Sequence, residues 1–282
     1  MEVRVYKGFL IYAEGQVYVQ QAYALALSIK YSQEETKSVS LVTADSVPEE
    51  YKSVFDRIIP IPWYDSPGGK YSAEHRWKMY HASPYEETIV LDADMLLLED
   101  ITTWWNYCSN FDIKFCNRIK NYKLDTVVDT VHRKAFIANQ LTSPYFALHY
   151  FKKSDSALEF YRVLEFVCNN WEWCWTNFAP NEYQNWSSMD LATAIAIEIS
   201  MNYISVNDQN SPLEFIHMKP ALQEWQDPID RWQDVITYVL NSKGDLIVGN
   251  IKQSKLFHYV EKDFIDLNTI SRLQELVYGK KD

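Results

Sequence analysis

Over its first hundred residues the chain alternates short apolar runs with segments of helical periodicity, which restricts it to an α/β architecture on a mostly parallel sheet. Residues 5–13 read as a strand, and residues 17–31 follow with Tyr18, Ala22, Leu25 and Ile29 along one helical face. A strand at 38–43, a helix at 49–55 with proline near its first turn, and a strand at 57–62 continue the pattern. A turn at Pro67-Gly68-Gly69, a helix at 73–80 and a strand at 88–91 complete it. The second half is less regular. Strands are predicted at 111–116, 145–150, 202–206 and 214–217, helices at 154–168, 189–198 and 228–240, a hairpin at 245–248 with 255–259, and a closing helix at 268–278. No repeat or proline-rich linker divides the chain, so one domain is expected over 1–282, its halves lying at 1–105 and 106–282.

Composition removes several function classes. With 47% hydrophobic and 15% aromatic residues the chain can bury a core, which excludes disorder. The formal charge of -11 disfavours non-specific attraction to nucleic acid or anionic membranes. No apolar run approaches the roughly 18 residues that span a bilayer, and residues 1–12 lack a signal-peptide pattern, so a cytoplasmic location with no membrane partner is expected. The four cysteines, Cys108, Cys116, Cys168 and Cys174, form no CxxC pair and read as reduced thiols. Only seven glycines occur in 282 residues, below the average of about 7%, and they build neither GxGxxG nor GxxxxGK[ST]. Dehydrogenases of the Rossmann type, kinases and P-loop NTPases are therefore poor candidates, and a phosphorylated ligand here calls for a metal ion as its counter-charge.

Residues 88–100 read TIVLDADMLLLED, an apolar run interrupted by Asp92 and Asp94. In an extended segment these two carboxylates face one side, and the small Ala93 between them leaves room for a ligand. Two carboxylates beside a core need compensation, which a hard divalent cation, Mn²⁺ or Mg²⁺, supplies. The competing reading is a solvated Asp-x-Asp turn at a strand end. Position favours the site, because open α/β sheets bind ligands at the carboxyl ends of their strands and this pair follows the fourth one.

FLIYAEGQVYVQQAYALALSIK and IVLDADMLLLEDI, in that order and spacing, resemble the first strand and helix and the DxD strand of the GT-A glycosyltransferases, most closely the glycogenin-like and lipopolysaccharide galactosyltransferase-like retaining families. The resemblance implies a GT-A (Rossmann-like) sheet flanked by helices, a UDP-sugar donor and a metal. It places Tyr18 over the uracil with Ile11, Tyr12 and Ala13 nearby, and gives Asp92 and Asp94 to metal and diphosphate around Ala93. HRWKMY supplies Arg76 and Lys78 where the family has a cation on the diphosphate and donor sugar; Arg76 is favoured because a guanidinium grips two phosphate oxygens at once.

The family closes its site with a metal-binding histidine followed by a diphosphate-binding lysine. FIHMKP offers His217 with Lys219, and LFHYVEK offers His258 with Lys262; neither has the HxxGxxKPW spacing, and chain order leans toward His217. YQNWSSMDLATAIAIE resembles the helix that brings an aspartate to the donor sugar, which implies a catalytic Asp190, although a helix-cap role suits the same position. Thr142-Ser143-Pro144 departs from the family's Asn-Ser-Gly.

The variable acceptor region falls at 118–141 and along WEWCWTNFAPNEYQNW. There Trp171, Trp173, Trp175 and Trp186 read as core, and Arg118, Lys120, Lys123, Arg133 and Lys134 as a solvated basic loop, although such a run also suits a phosphorylated glycan or a modified nucleic-acid base. The resemblance implies transfer from a UDP-sugar to a glycan or other hydroxyl compound with retention of configuration. A modified nucleic-acid base is the minority acceptor. A nucleotidyltransferase lacks its Gly-rich, Arg-containing loop in AEGQVY, and a non-catalytic nucleotide-sugar binder is the remaining alternative.

Overall fold

The computed structural model describes residues 6–64, 72–182, 184, 186–206 and 208–279; the turn at Pro67-Gly68-Gly69 lies outside the described residues. The chain opens with β1 (Lys7–Tyr12), α1 (Gln16–Ser32), β2 (Val39–Val42), α2 (Glu49–Lys52) and β3 (Arg57–Ile59). A 3₁₀ segment, Ser72–Lys78, runs into α3 (Met79–Ala82), followed by β4 (Glu87–Asp92), β5 (Met95–Leu97) and α4 (Thr102–Cys108). Next come β6 (Ile113–Cys116), β7 (Arg118–Lys120), β8 (Thr126–Val127), α5 (Lys134–Ala138), β9 (Tyr145–Lys152), α6 (Asp155–Asn169), α7 (Trp171–Phe178) and α8 (Met189–Ser200). The chain ends with β10 (Glu214–His217), β11 (Tyr238–Leu240), β12 (Leu246–Val248), β13 (Ile251–Lys252), β14 (Leu256–His258) and α9 (Leu267–Tyr278).

The main sheet has the order β3-β2-β1-β4-β9-β6. β1, β2, β3 and β4 are parallel, as the β-α alternation predicts, while β9 runs antiparallel to β4 and β6. Phe9, Leu10 and Ile11 of β1 are fully buried because helices cover both faces of the sheet, and each such side chain contributes about 1.5–3 kcal/mol. α1 is buried nearly all round, and its small residues Ala22, Ala24 and Ala26 let it lie between β5 and α9. Gly15 opens that helix at φ 105°, a conformation that disfavours any side chain, and its N–H donates to Asp45 Oδ2 at 2.6 Å. Because β2 and β3 extend to one side of β1 and β4 lies on the other, the strand order reverses between β1 and β4, which opens a crevice at their carboxyl ends.

A second sheet, β5-β14-β10-β7-β8, stands beyond that crevice, and β11-β12-β13 forms a small antiparallel meander. Three expectations are corrected here. The segment 202–206 is a 3₁₀ turn at Tyr203–Ser205 rather than a strand, since Ser205 N–H and Oγ both donate to the Asn202 carbonyl and satisfy the backbone locally. Residues 228–240 hold one 3₁₀ turn, Trp232–Asp234, and β11 rather than a helix; fully buried Trp232 anchors the turn by donating from Nε1 to the Tyr259 carbonyl at 2.8 Å. The late hairpin does not form either. β12 pairs with β11 and β13, while β14, buried along its whole length, inserts between β10 and β5. No helix among the described residues is long and apolar enough to cross a membrane.

Candidate active site

β1 and β4 lie in register with Tyr12 opposite Asp92, so the crevice begins where these two strands end. Asp92 closes β4, and a tight turn at Ala93-Asp94 passes the chain directly into β5 of the second sheet. The two carboxylates therefore converge through a turn between sheets, not through strand alternation as the spacing suggested. Across the second sheet Met95 faces His258, and Tyr259 N–H donates to the Asp94 carbonyl at 3.2 Å, which fixes β14 against the turn. One ligand atom from each of Asp92, Asp94 and His258 falls within 4.8 Å of the other two, and His258 Nε2 lies 3.0 Å from Asp94 Oδ2.

Two carboxylates and an imidazole within that distance match a divalent cation, and Mn²⁺ accepts the nitrogen more readily than the harder Mg²⁺. Burial pushes the Asp94 carboxyl up, but His258 and then Arg76 outweigh it and hold the group below its ordinary value, so it is ionised and ready to bind a metal. His217 sits opposite His258 on β10 and stacks on it, ring centroids 4.6 Å apart, without joining the carboxylates. The lean toward His217 is thus corrected: the parallel pairing of β10 with β14, which spacing along the chain does not reveal, gives the inner position to His258. Buried His217 has its pKa lowered well below the usual histidine range, by burial first and then by His258.

Arg76 reaches the same point from the 3₁₀ segment and forms an ion pair with Asp92, its guanidinium 5.2 Å from the Phe146 ring centroid. Burial pulls its pKa down while Asp190, Tyr12 and Asp94 pull it up. Lys78 is turned away, buried with Nζ donating to the Trp63 carbonyl at 3.0 Å, so the structure does not bring it to the crevice.

Three cavities adjoin one another through shared walls. The first, about 210 Å³, is lined by Tyr12, Glu14, Tyr18, Arg76 and the Asp92-Ala93-Asp94 turn. Ile11 and Ala13 lie in the core beneath it, and Lys262 Nζ stands 5.5 Å from the Tyr18 ring centroid. Glu14 accepts hydrogen bonds from Tyr12 Oη at 2.6 Å and Tyr64 Oη at 3.1 Å; no motif in the sequence marked it. The second cavity, about 270 Å³, shares Arg76 and Asp92 with the first and adds Asp190, Lys219, His217 and His258. The third, about 450 Å³, shares Arg133, Trp186, Asp190 and Lys219 with the second and opens past Lys134 and Glu182.

Asp190 is not the cap of α8. Ser188 is, accepting from Leu191 N–H, which leaves Asp190 to accept from Phe146 N–H at 2.8 Å and from Arg133 at 2.6 Å. Arg133 is only 6% exposed, 3.9 Å from the Tyr145 ring centroid and 4.7 Å from that of Phe136, and it also donates to the Pro144 carbonyl. The solvated-loop reading fails for this residue because aromatic faces and Asp190 hold the guanidinium inside. The core reading of the tryptophans holds for Trp175 but not for Trp173, which is 55% exposed, nor for Trp186, which lines the second and third cavities. Lys219, expected on the diphosphate, lines these two cavities and not the first; burial lowers its pKa while Asp190 and Asp129 raise it.

No protein-family model and no curated protein matches the chain. Among solved structures it is similar to the galactosyltransferase LgtC in complex with donor and acceptor sugar analogues, at 13% identity over 96% of this chain and 95% of that one, with a TM-score of 0.52. It is also similar to the glycosyltransferase GlyE of Streptococcus pneumoniae TIGR4, at 11% identity over 72% of this chain, with a TM-score of 0.42. The chain spans 46% of the length of GlyE. A third similar structure is mouse xyloside xylosyltransferase 1, at 12% identity over 94% of this chain and 99% of that one, with a TM-score of 0.48. The likeness to LgtC gives the fold: a GT-A sheet flanked by helices with an elaborated second half.

Proposed function

We propose that this protein is a metal-dependent glycosyltransferase that moves a sugar from a UDP-sugar to a hydroxyl-bearing acceptor with retention of configuration. The observation that carries the reading is the placement of Asp92, Asp94 and His258 between the Tyr18 cavity and the cavity holding Asp190. Such an arrangement suits a donor whose base rests on Tyr18, whose diphosphate meets the carboxylate-histidine cluster and whose sugar extends toward Asp190.

Asp92, Asp94 and His258 would hold Mn²⁺, which when bound supplies Lewis-acid stabilisation of negative charge on the departing diphosphate. The chain's own groups supply the rest. Arg76 is placed to exchange its contact with Asp92 for phosphate oxygens, a bidentate contact that suits charge building up there. Lys262, beside Tyr18, adds a second cation on the donor side. Asp190, fixed by Arg133 and by Phe146 N–H, presents a carboxylate whose negative charge favours positive charge developing at the anomeric carbon.

The test is release of UDP from a panel of UDP-sugars with Mn²⁺ or after chelation, comparing wild type with Asp94→Asn. Metal-dependent hydrolysis of one donor, lost in the variant, supports the transferase reading. Failure of UDP to bind with or without Mn²⁺ would overturn the donor assignment.

A further inference from the structure

We propose that the third cavity, beyond Asp190, takes a saccharide acceptor bearing an anionic group, a phosphate or a carboxylate, with Lys219 as its counter-ion and Trp186 as the surface on which the sugar ring rests. This deepens the transferase reading and rests on it.

The cations around the second and third cavities differ in what they hold. Arg133 is fully engaged by Asp190, the Pro144 carbonyl and two aromatic faces. Arg76, in the second cavity, pairs with Asp92, and Lys134, in the third, is exposed to solvent. The ammonium of Lys219, a half-buried residue lining both cavities, makes no hydrogen bond or ion pair among the described residues; the bonds of this residue are made by its backbone carbonyl, which accepts from Gln223 Nε2 at 2.9 Å and from Leu222 N–H. Asp190, the wall carboxylate that most raises the Lys219 pKa, already has its oxygens occupied by Arg133 and Phe146 N–H. A partly desolvated ammonium without a counter-ion is unfavourable, and an anion arriving with the ligand completes the pair.

Lys219 lies on the acceptor side. It lines no part of the Tyr18 cavity, where Lys262 already provides a cation, and of the two cavities it does line, the third contains none of Arg76, Asp92, Asp94 and His258, so an anion held there is distinct from the donor's. The third cavity carries three cations, Arg133, Lys134 and Lys219, against two carboxylates, Glu182 and Asp190, in a chain whose net charge is -11. Its volume of about 450 Å³ falls within the ~300–1,000 Å³ of small-ligand sites. A long polyanion is disfavoured by the chain's overall charge, whereas a small saccharide meets only the local field. Trp186 presents an indole to both cavities, and an aromatic face matches the apolar face of a pyranose ring.

The experiment is calorimetric titration of the full chain, first with UDP and Mn²⁺ and then, on the same sample, with glucose 6-phosphate, glucuronate, neutral glucose and a twelve-nucleotide single-stranded DNA. The first titration judges the donor reading by itself. In the second, at least one charged sugar should bind about ten-fold or more tightly than glucose, and which one does so separates phosphate from carboxylate. Lys219→Met should bring that preference to within about three-fold of unity while UDP binding persists. Should Lys219→Met not fold, the wild-type preference should still shrink between about 50 and about 500 mM NaCl. Equal binding of glucose, absence of charged-sugar binding, a preference that survives Lys219→Met or high salt, or binding of the oligonucleotide alone would each overturn the proposal.

Discussion

His217 and His258 stand opposite one another on neighbouring parallel strands with their rings stacked 4.6 Å apart, yet His258 alone of the two reaches a carboxylate, at 3.0 Å from Asp94. This asymmetry separates two residues that look equivalent in the sequence. His258→Ala should weaken Mn²⁺ binding about 10- to 100-fold, while His217→Phe, which keeps a flat ring under His258, should change it by less than about three-fold. Calorimetry with Mn²⁺ alone checks this, and the reverse ranking would move the ligand assignment to His217.

Arg76 supplies positive charge to Asp92 and lies within the influence of Asp94 as well. Removing it leaves two carboxylates beside each other with less compensation, so Arg76→Ala should lower the melting temperature of the chelated protein. Added Mn²⁺ then restores more stability than it adds to wild type. A difference of ~1 kcal/mol would appear as about 2–4 °C of extra metal-induced shift, and an equal shift in both proteins would show that Arg76 does not balance the carboxylates.

Much of this arrangement is local enough to be read from the chain. The alternation in the first hundred residues encodes the parallel strands, and Asp92 and Asp94 stand out because charge interrupts an otherwise apolar run. What stays hidden depends on contacts between distant segments. The choice of His258 over His217 follows from β14 inserting between β10 and β5, and the burial of Arg133 follows from Asp190 lying 57 positions away. Trp232 shows the same effect in the fold, since its hydrogen bond to Tyr259 prevails over the helical periodicity of its own segment. Glu14 was invisible because a single acidic residue after a strand carries no spacing, and its role depends on two tyrosines brought to it from either side.

Asp190 and Arg133 form a pair in which the arginine is almost wholly buried, side-chain exposure 7% against 31% for the aspartate. Asp190→Ala strands that guanidinium and should cost about 3 kcal/mol in urea unfolding, the low end for a broken buried pair because Asp190 is partly exposed. Because the cost arises from an uncompensated cation, adding Arg133→Met should recover part of it, a non-additivity measured by a double-mutant cycle. Asp190→Asn, which keeps the shape and an acceptor for Phe146 N–H, should still lower donor turnover about 100-fold with UDP affinity unchanged. Simple additivity of the two stability losses would show that the pair is not coupled.

His149, on β9 behind Arg76, bears on stability and not on the chemistry. It is fully buried, and since a carbonyl can only accept, its Nδ1 donates to the Phe146 carbonyl at 2.8 Å, leaving Nε2 to accept from Tyr161 Oη at 2.8 Å. Burial pushes its pKa down to about 3, with Arg76 adding to the shift and the Phe146 carbonyl opposing it. In the unfolded chain the same ring titrates near ~6.5. Between those two values the unfolded state binds a proton that the folded state refuses, so stability is intact above about 6.5 and is lost progressively as the pH falls toward 3, by up to ~1.4 kcal/mol per pH unit. Urea unfolding at pH 7, 6 and 5 should show wild type losing stability more steeply than His149→Gln, whose neutral amide offers a donor and an acceptor without a titrating nitrogen. The variant should begin less stable at pH 7 and converge on wild type as the pH falls; parallel curves would assign the acid sensitivity to other groups.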